Sequence, residues 1–549
     1  TSTTSTTSTT STTSTTTSTT SATTTTATTT ATTATATHTT TRTASTPAPI
    51  PAWAAYVPAA HGRRTPLWSQ PPMGSKRVLK GISYAPVPLR DPGALLPDDD
   101  FMAANASAFW GYPGDGLGAR GRGDLGVIRA LGANAVRLYG NNPALNHSAF
   151  LDEAEAQGLQ VLAGFSDYPY VQMKGNCMTT GFDCYDQVKE QYALSLRNGY
   201  LRADRTYHPA LRVVILMNEP DLKFEGGLQG FPGWPQHFGK ALVSAFDAVI
   251  DAEKEARVEG LAPNFTATFS FGRCSRCSRK GDVPSLGQML ELRRFVRNPG
   301  LVNYTARNDI WAVYQRRFVN SFNTANRGAE VRHLFLDDYD RLFQGTPVFI
   351  GEYHAPDYFD QREDISGILG LAAQASTLLM GISFFEFQVR YDKGGGEMRF
   401  GMFGLSREHA VAGAVLGGKK NFTSWCLTPV KATARSGQCG RIRNDVDYVA
   451  ESTWSLHLDH IPTADMCCTS CQDSPNCKAW TWVRDAGLDG CPSQCWLKGG
   501  EATREVPKKG VVSGLPRPTH SDPEMYVHTA VTEAFGGVGV EPGQLCPVL

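Results

Sequence analysis

Two glutamates stand out because of where they fall. Val213-Val214-Ile215-Leu216-Met217 is an apolar run of the kind that makes a buried parallel strand, and it ends in Asn218-Glu219-Pro220. Pro347-Val348-Phe349-Ile350 is a second such run, ending in Gly351-Glu352-Tyr353. A strand that stops at a carboxylate can do so structurally, closing on a nearby arginine. Two that do so invite a chemical reading, with one carboxylate attacking carbon and the other carboxylic acid protonating a leaving oxygen. That chemistry needs the pair close together and in unequal environments. An opposite charge beside one carboxyl would hold it ionised, while apolar surroundings and the neighbouring anion would keep a proton on the other.

The elements that must position this pair read as alternating strands and helices from about Val78 to Arg390. Strands are expected at Val78–Pro86, Asn134–Tyr139, Gln160–Phe165, Arg212–Asn218, Ala267–Phe271, Ile310–Tyr314, Pro347–Glu352 and Ile382–Phe387. Helices are clearest at Asp124–Leu131, Ser148–Gln157, Gln187–Arg202, His237–Arg257 and Asp364–Leu379. Eight strands over about 310 residues fit an α/β fold of the (β/α)8 TIM-barrel type, whose active sites lie at the C-terminal strand ends. Glu219 and Glu352 then end the fourth and seventh strands.

Those positions resemble the large clan of retaining glycoside hydrolases with catalytic glutamates on strands four and seven. The resemblance implies that Glu219 is the acid/base and Glu352 the nucleophile. It implies that Asn218 meets the sugar 2-hydroxyl, that Arg137 is the strand-two arginine, and that Tyr314 is the tyrosine touching the nucleophile. Lys80-Gly81-Ile82-Ser83-Tyr84 and Val136-Arg137-Leu138-Tyr139-Gly140 are most similar to the β-1,3-glucan hydrolases and glucanosyltransferases of the clan, which adds Tyr84 to the substrate-binding candidates. Trp110, Tyr168, Tyr170, Trp234, Tyr353 and Phe385 are candidate sugar-stacking walls, or else plain core. The chain departs from the clan at the end of strand eight, where Phe384-Phe385-Glu386-Phe387 stands in place of a tryptophan. No cofactor or metal is called for.

The 549 residues exceed one hydrophobic core, and their 41% apolar content suffices to fold. Lys+Arg and Asp+Glu balance at 52 each, which excludes nucleic acid or an acidic polymer recognised by overall charge. Residues 1–50 are almost wholly Thr, Ser and Ala, and cannot offset the entropy of ordering. Ser2, Ser5, Ser8, Ser11 and Ser14 recur every third residue, the polyproline II period. The tract reads as an extended, mucin-like stalk with O-glycan on Thr1, Ser2, Thr3, Thr4, Ser5, Ser8, Ser11, Ser14 and beyond, or as a plain linker. No signal peptide opens the chain, which begins inside the repeat and so reads as a mature or truncated product. Residues 51–77 read as a linker, 78–418 as the barrel, and 419–549 as a Cys-rich module.

Of the 13 cysteines, eight lie between Cys426 and Cys495, the density of a disulfide-stapled unit made in an oxidising compartment. Cys468-x-x-Cys471 also has zinc-ligand spacing, but no second such pair follows at finger-like distance. Cys274 and Cys277 are expected to form a short local disulfide or to pair with Cys177 and Cys184. Asn105, Asn146, Asn264, Asn303 and Asn421 are N-glycosylation acceptors by motif, and they support an extracellular or cell-surface location. Cys467-Cys468-x-x-Cys471, Cys477-Lys478-Ala479-Trp480-Thr481-Trp482 and Cys495-Trp496-Leu497-Lys498, in that order, resemble a PAN/apple module, which commonly binds carbohydrate or protein. Ile365–Phe385 lacks a membrane span's continuity, since Gln374, Ser376, Thr377 and Gly381 break it, and it reads as buried helix then strand. The expected partners are a polysaccharide substrate or matrix glycan. The contrasting possibility is a non-catalytic, glycan-coated fibril subunit whose partners are its own copies.

Overall fold

The computed structural model describes residues 77–547, apart from 88–99, 113–120, 166, 225–234, 357–359, 412–423, 433–438 and shorter stretches between 451 and 524. Eight strands close into a parallel barrel in sequence order: β1 (Leu79–Ser83), β2 (Ala135–Arg137), β3 (Gln160–Gly164), β4 (Leu211–Asn218), β5 (Asn264–Phe269), β6 (Asn320–Thr324), β7 (Val348–Tyr353) and β8 (Leu379–Phe384). Helices between them include Asp124–Ala130, Ser148–Ala156, Tyr185–Ser195, Pro235–Glu255, Leu286–Arg297 and Gln361–Ala373. Ile365–Phe385 is accordingly divided between a helix and β8, and no described helix is long and apolar enough to cross a membrane.

The barrel has two apolar zones, as the alternation of strand side chains requires. Leu79, Ala135, Leu162, Val213, Ile215, Val319, Phe349 and Met380 pack together inside the barrel. The opposite faces of the strands, with Ile82, Val136, Val214, Leu216 and Ile350 among them, pack against the helices in a much larger core. Further along the strands the interior turns polar, and Ser83, Arg137, Thr268, Ser321 and Asn323 are all buried there.

The sixth strand differs from the sequence reading. Ile310–Tyr314 lies in the helix Ile310–Arg317, capped by Asp309, whose side chain accepts from the Ala312 amide. The strand is Asn320-Ser321-Phe322-Asn323-Thr324. Its inward side chains serve a polar interior, so it carries no hydrophobic run, whereas the preceding helix does.

After the barrel, β9 (Phe403–Val411) and β10 (Ser424–Pro429) form an antiparallel pair. A separate antiparallel sheet follows in the order β11-β15-β13-β14-β12, comprising Cys439–Ala450, Ala502–Pro516, Ala479–Val483, Cys495–Lys498 and Ser455–Leu458 respectively. The helix Ala464–Gln472 covers it, packing Cys467, Cys468 and Cys471 with Trp480 of the sheet, with disulfides Cys467–Cys495 and Cys471–Cys477. Cys468 is also disulfide-bonded, so the Cys468-x-x-Cys471 pair is not a zinc site.

The module is smaller than 419–549. Beyond it the chain returns to the barrel: the helix Val527–Phe535 buries Val527, Val531 and Phe535 in the barrel's outer core. Lys80 Nζ donates to the Phe535 carbonyl, Arg362 pairs with Glu533 at 2.8 Å, and disulfide Cys426–Cys546 ties the end of the chain to β10.

Candidate active site

Glu219 and Glu352 line one cavity of about 770 Å³ at the C-terminal ends of the strands. Strict alternation would not put Glu352 there. On β7, Phe349 points inward, so Glu352 three residues later should share the outward face of Val348 and Ile350. Register shifts between Phe322 and Asn323 on β6 and between Ile350 and Tyr353 on β7 change this parity. A similar shift between Ile215 and Asn218 on β4 brings Asn218 to the mouth. Gly351 is required at the crossing, because a Cβ there would lie 2.9 Å from Asn323 Oδ1, Ser321 Oγ and Thr268 Cγ2. Glu219 itself sits just past β4 at φ 51° and ψ 52°, its amide donating to the Thr268 carbonyl at 2.6 Å.

A single polar network joins the pair. Arg137, 1% exposed, donates from Nη1 to Glu352 Oε1 and from Nη2 to Asn218 Oδ1, both at 2.8 Å. Asn218 Nδ2 lies 3.5 Å from Glu352 Oε1. Asn323 Nδ2 donates to Glu219 Oε1 at 3.0 Å and to Asn218 Oδ1 at 3.2 Å. Burial pushes the Glu219 carboxyl up to about 7, helped by the charge of Glu352 and opposed by the Asn323 hydrogen bond. Glu352 ion-pairs with a buried guanidinium. Two carboxyls in one cleft therefore have unlike surroundings, one suited to holding a proton and the other paired with the Arg137 guanidinium.

Below Glu219 the backbone is fixed by Asp221, fully buried, whose carboxylate accepts from the Ser270 amide and hydroxyl and from Gln288. Across the cavity Lys223 pairs with Asp167, and both line it. Phe385, Phe400, Phe271 and Tyr139 supply aromatic wall. Buried His354 holds Phe385 in place, its Nδ1 2.7 Å from the Phe385 carbonyl, and burial pushes its imidazole down to about 4, so it is neutral at ordinary pH. Glu386 lies just behind this wall with no exposed surface, and among the described residues neither carboxyl oxygen has a hydrogen-bond partner. Burial pushes it up to about 8 against the pull of Arg390 and Lys393. At neutral pH it is largely a neutral acid and adds little repulsion to Glu352.

Of the sequence candidates, Glu219, Glu352, Asn218 and Arg137 come together, and Phe385 joins them. Three tyrosines do not. Tyr314 is 2% exposed on a helix, stacked on Phe318 with ring centroids 4.7 Å apart, because the segment assigned to strand six is helical. Tyr84 is buried beneath the barrel rim and donates to Asp124 at 2.9 Å. Tyr353 points into the outer core and donates to Asp364, the parity opposite to that of Glu352. Trp110 and Tyr170 are core, Tyr168 is exposed away from the cavity, and Trp234 lies outside the described residues. Asn323, Tyr139, Phe271 and Phe400 were not singled out. Asn323 escaped because its strand did; its polar spacing before a helix was the available signal.

Among the acceptor asparagines, Asn146 and Asn303 are exposed and Asn105 and Asn264 are half-buried, while Asn421 and the Thr/Ser tract lie outside the described residues. Cys177–Cys184 and Cys274–Cys277 are both local disulfides.

Fold and site together define a (β/α)8 barrel with paired carboxyls at its mouth, followed by a small disulfide-bonded module. Residues 454–498 match the family model of the PAN domain. No curated protein sequence matches the chain. Among solved structures the chain is similar to Saccharomyces cerevisiae Gas2p in complex with laminaripentaose, with 15% identity over 60% of each chain and a TM-score of 0.36. It is also similar to the family 1 β-glucosidase from Thermotoga maritima, with 13% identity over 60% of this chain and 92% of that one, TM-score 0.38. A third is the mannohexaose complex of Thermomonospora fusca β-mannanase, 12% identical over 60% and 83%, TM-score 0.34. The chain thus spans 60% of the length of the yeast protein.

Proposed function

We propose that this chain is an extracellular, retaining glycoside hydrolase or transglycosylase acting on β-glucan-type polysaccharide. The observation that carries the reading is the Arg137–Glu352 ion pair linked through Asn218 and Asn323 to a Glu219 carboxyl raised to about 7. In that reading Glu352 attacks the anomeric carbon as the glycosidic C–O bond breaks, and Glu219 gives its proton to the departing oxygen. Glu219, now a carboxylate, then takes a proton from water or from an acceptor sugar hydroxyl. That oxygen displaces Glu352 and restores the original configuration. In the same reading Asn218, held by Arg137 and Asn323, meets the sugar 2-hydroxyl, and Phe385, Phe400, Phe271 and Tyr139, which line the cavity, serve as stacking faces.

The β-glucan class rests on the Lys80–Tyr84 and Val136–Gly140 strings. The extracellular placement, the N-glycans and the O-glycosylated tract rest on the disulfides, the acceptor motifs and the Thr/Ser repeat. Incubation of the purified chain with a panel of β-glucan oligosaccharides, read by the anomeric configuration of the products, tests the proposal. Products of retained configuration support it, and inverted products overturn it. No turnover of any member, with assembly that requires residues 1–50, would favour the glycan-coated fibril subunit instead.

A further inference from the structure

The loop after β5 and the helix Leu286–Arg297 are dense in arginine. The loop reads Arg273-Cys274-Ser275-Arg276-Cys277-Ser278-Arg279-Lys280, and the helix ends Arg293-Arg294-Phe295-Val296-Arg297. In a chain of zero net charge such a run is a local feature. The structure gathers part of it into a second cleft of about 950 Å³ on the outside of the barrel, lined by Arg279, Arg293, Arg294, Arg297, Ser278 and Trp311 among others. The cleft follows the helix from the loop after β5, on the mouth side, to Asn298 and Leu301 beyond the helix's far end.

The arginines are held to different degrees. Arg293 is anchored, its Nη1 donating to the Leu342 carbonyl at 2.9 Å and its guanidinium 4.1 Å from the Phe343 ring centre. Arg294 donates to Glu291, the buried carboxylate beneath it, which also accepts from the Ser278 amide at 2.7 Å. That single acid offsets one of four cations. Arg297 lies over the Trp311 ring at 5.7 Å, and Arg279 makes no hydrogen bond or ion pair among the described residues. Disulfide Cys274–Cys277 closes the loop immediately before Ser278 and Arg279. The result is a rigid-backed cleft with a surplus of guanidinium groups and one indole in its wall.

We propose that this cleft binds an acidic glycan, one bearing carboxylate or sulfate groups, as a site separate from the barrel mouth. Guanidinium forks match the paired oxygens of carboxylate and sulfate, and they add little for a neutral sugar. Trp311 is stacked on Tyr314 with ring centroids 5.6 Å apart, and the part of the indole that lines the cleft offers an apolar contact for a sugar ring, a feature that a site for bare anions does not need. The inference does not depend on catalysis at Glu219 and Glu352. It would give the protein an anchor on a charged matrix while the neutral chain is handled at the barrel mouth.

The test uses polygalacturonate, dextran sulfate and neutral dextran as probes, with binding measured by calorimetry at 0.15 M salt on the full chain, its Glu352→Gln variant, Arg279→Ser/Arg297→Gln and Trp311→Ala. Polygalacturonate and dextran sulfate distinguish a carboxylate source from a sulfate source. The expected result is binding of one or both acidic probes and not dextran, unchanged by Glu352→Gln. The double arginine variant should weaken it at least tenfold and Trp311→Ala several-fold. Arg279 and Arg297 are exposed and Trp311 is half-buried against the barrel's outer core, so thermal melts establish that each variant folds. Absence of binding to both acidic probes, or binding that survives the double arginine change, overturns the proposal. Equal binding of a single-stranded DNA oligonucleotide with no effect of Trp311→Ala overturns the glycan assignment in favour of a general polyanion site.

Discussion

Removing one hydrogen bond should move the pH profile of this protein in a direction fixed by the geometry. Asn323 Nδ2 donates to Glu219 Oε1 at 3.0 Å and so favours the ionised carboxylate. Against it, burial and the charge of Glu352 hold the group at about 7. A hydrogen bond to a charged group contributes roughly 1.5–3 kcal/mol, equivalent to about one to two pH units at 1.36 kcal/mol each. Water entering the space left by Asn323→Ala recovers part of this, leaving an expected rise of about one unit. The acid/base must carry its proton to act, so Glu219 sets the alkaline limb of kcat/KM. That limb should move from near pH 7 to near pH 8 in Asn323→Ala, measured with an aryl β-glucoside over pH 4–10. Asn218 remains held by Arg137 at 2.8 Å, so its disturbance should lower the plateau without moving the limb. Because the two carboxyls titrate as a pair, the limb reports the pair's upper apparent value. A limb that stays in place, or moves toward acid, would refute the role assigned to Asn323.

The roles of the pair separate by leaving group. Glu219→Ala should lose about 10²- to 10⁴-fold on natural glucans but little on substrates with good leaving groups, whereas Glu352→Ala should lose turnover on both, with azide giving no product of retained configuration; equal losses on the two substrate types would sink the assignment. Glu386, raised from 4.5 to about 8, should cost the fold stability as pH climbs through that window, in total about 5 kcal/mol at 1.36 kcal/mol per pH unit. Glu386→Gln should therefore gain on the parent protein between pH 4.5 and 8 in denaturant melts, and a constant difference would show the group to be ionised throughout. In the PAN domain, chain entropy assigns the Cys467–Cys495 loop of 28 residues about 3.5 kcal/mol and the Cys471–Cys477 loop of 6 about 2 kcal/mol. Replacing both cysteines of each pair by serine should reproduce that order in unfolding measurements on the module.

The barrel and its two glutamates were readable because buried parallel strands write themselves as apolar runs. Val213–Met217 and Val348–Ile350 could hardly be anything else, and each runs straight into its carboxylate. The sixth strand was not readable by the same sign. Ser321 and Asn323 face a polar interior and Asn320 bonds to Tyr339 among the helices, so their strand looks like loop, while the apolar Ile310–Tyr314 beside it is helix. Losing the strand lost Asn323 and misplaced Tyr314. Side-chain parity was the second obstacle. Glu352 enters the cavity and Tyr353 leaves it only because the register shifts near the strand ends, which depends on pairing between strands distant in sequence. The cysteine spacing revealed the module but not its limits, since the helix Val527–Phe535 belongs energetically to the barrel on which Val531 and Phe535 are buried.

The central claim is that Glu352 becomes covalently bonded to a sugar while Glu219 supplies the proton. Incubation with 2-deoxy-2-fluoro-β-glucosyl fluoride slows the second step more than the first, and peptide mass spectrometry then locates any adduct. The account predicts one glycosyl unit on the peptide carrying Glu352, absent from Glu352→Gln and still formed in Glu219→Ala. An adduct on Glu219, or on any residue outside the cavity, would contradict it.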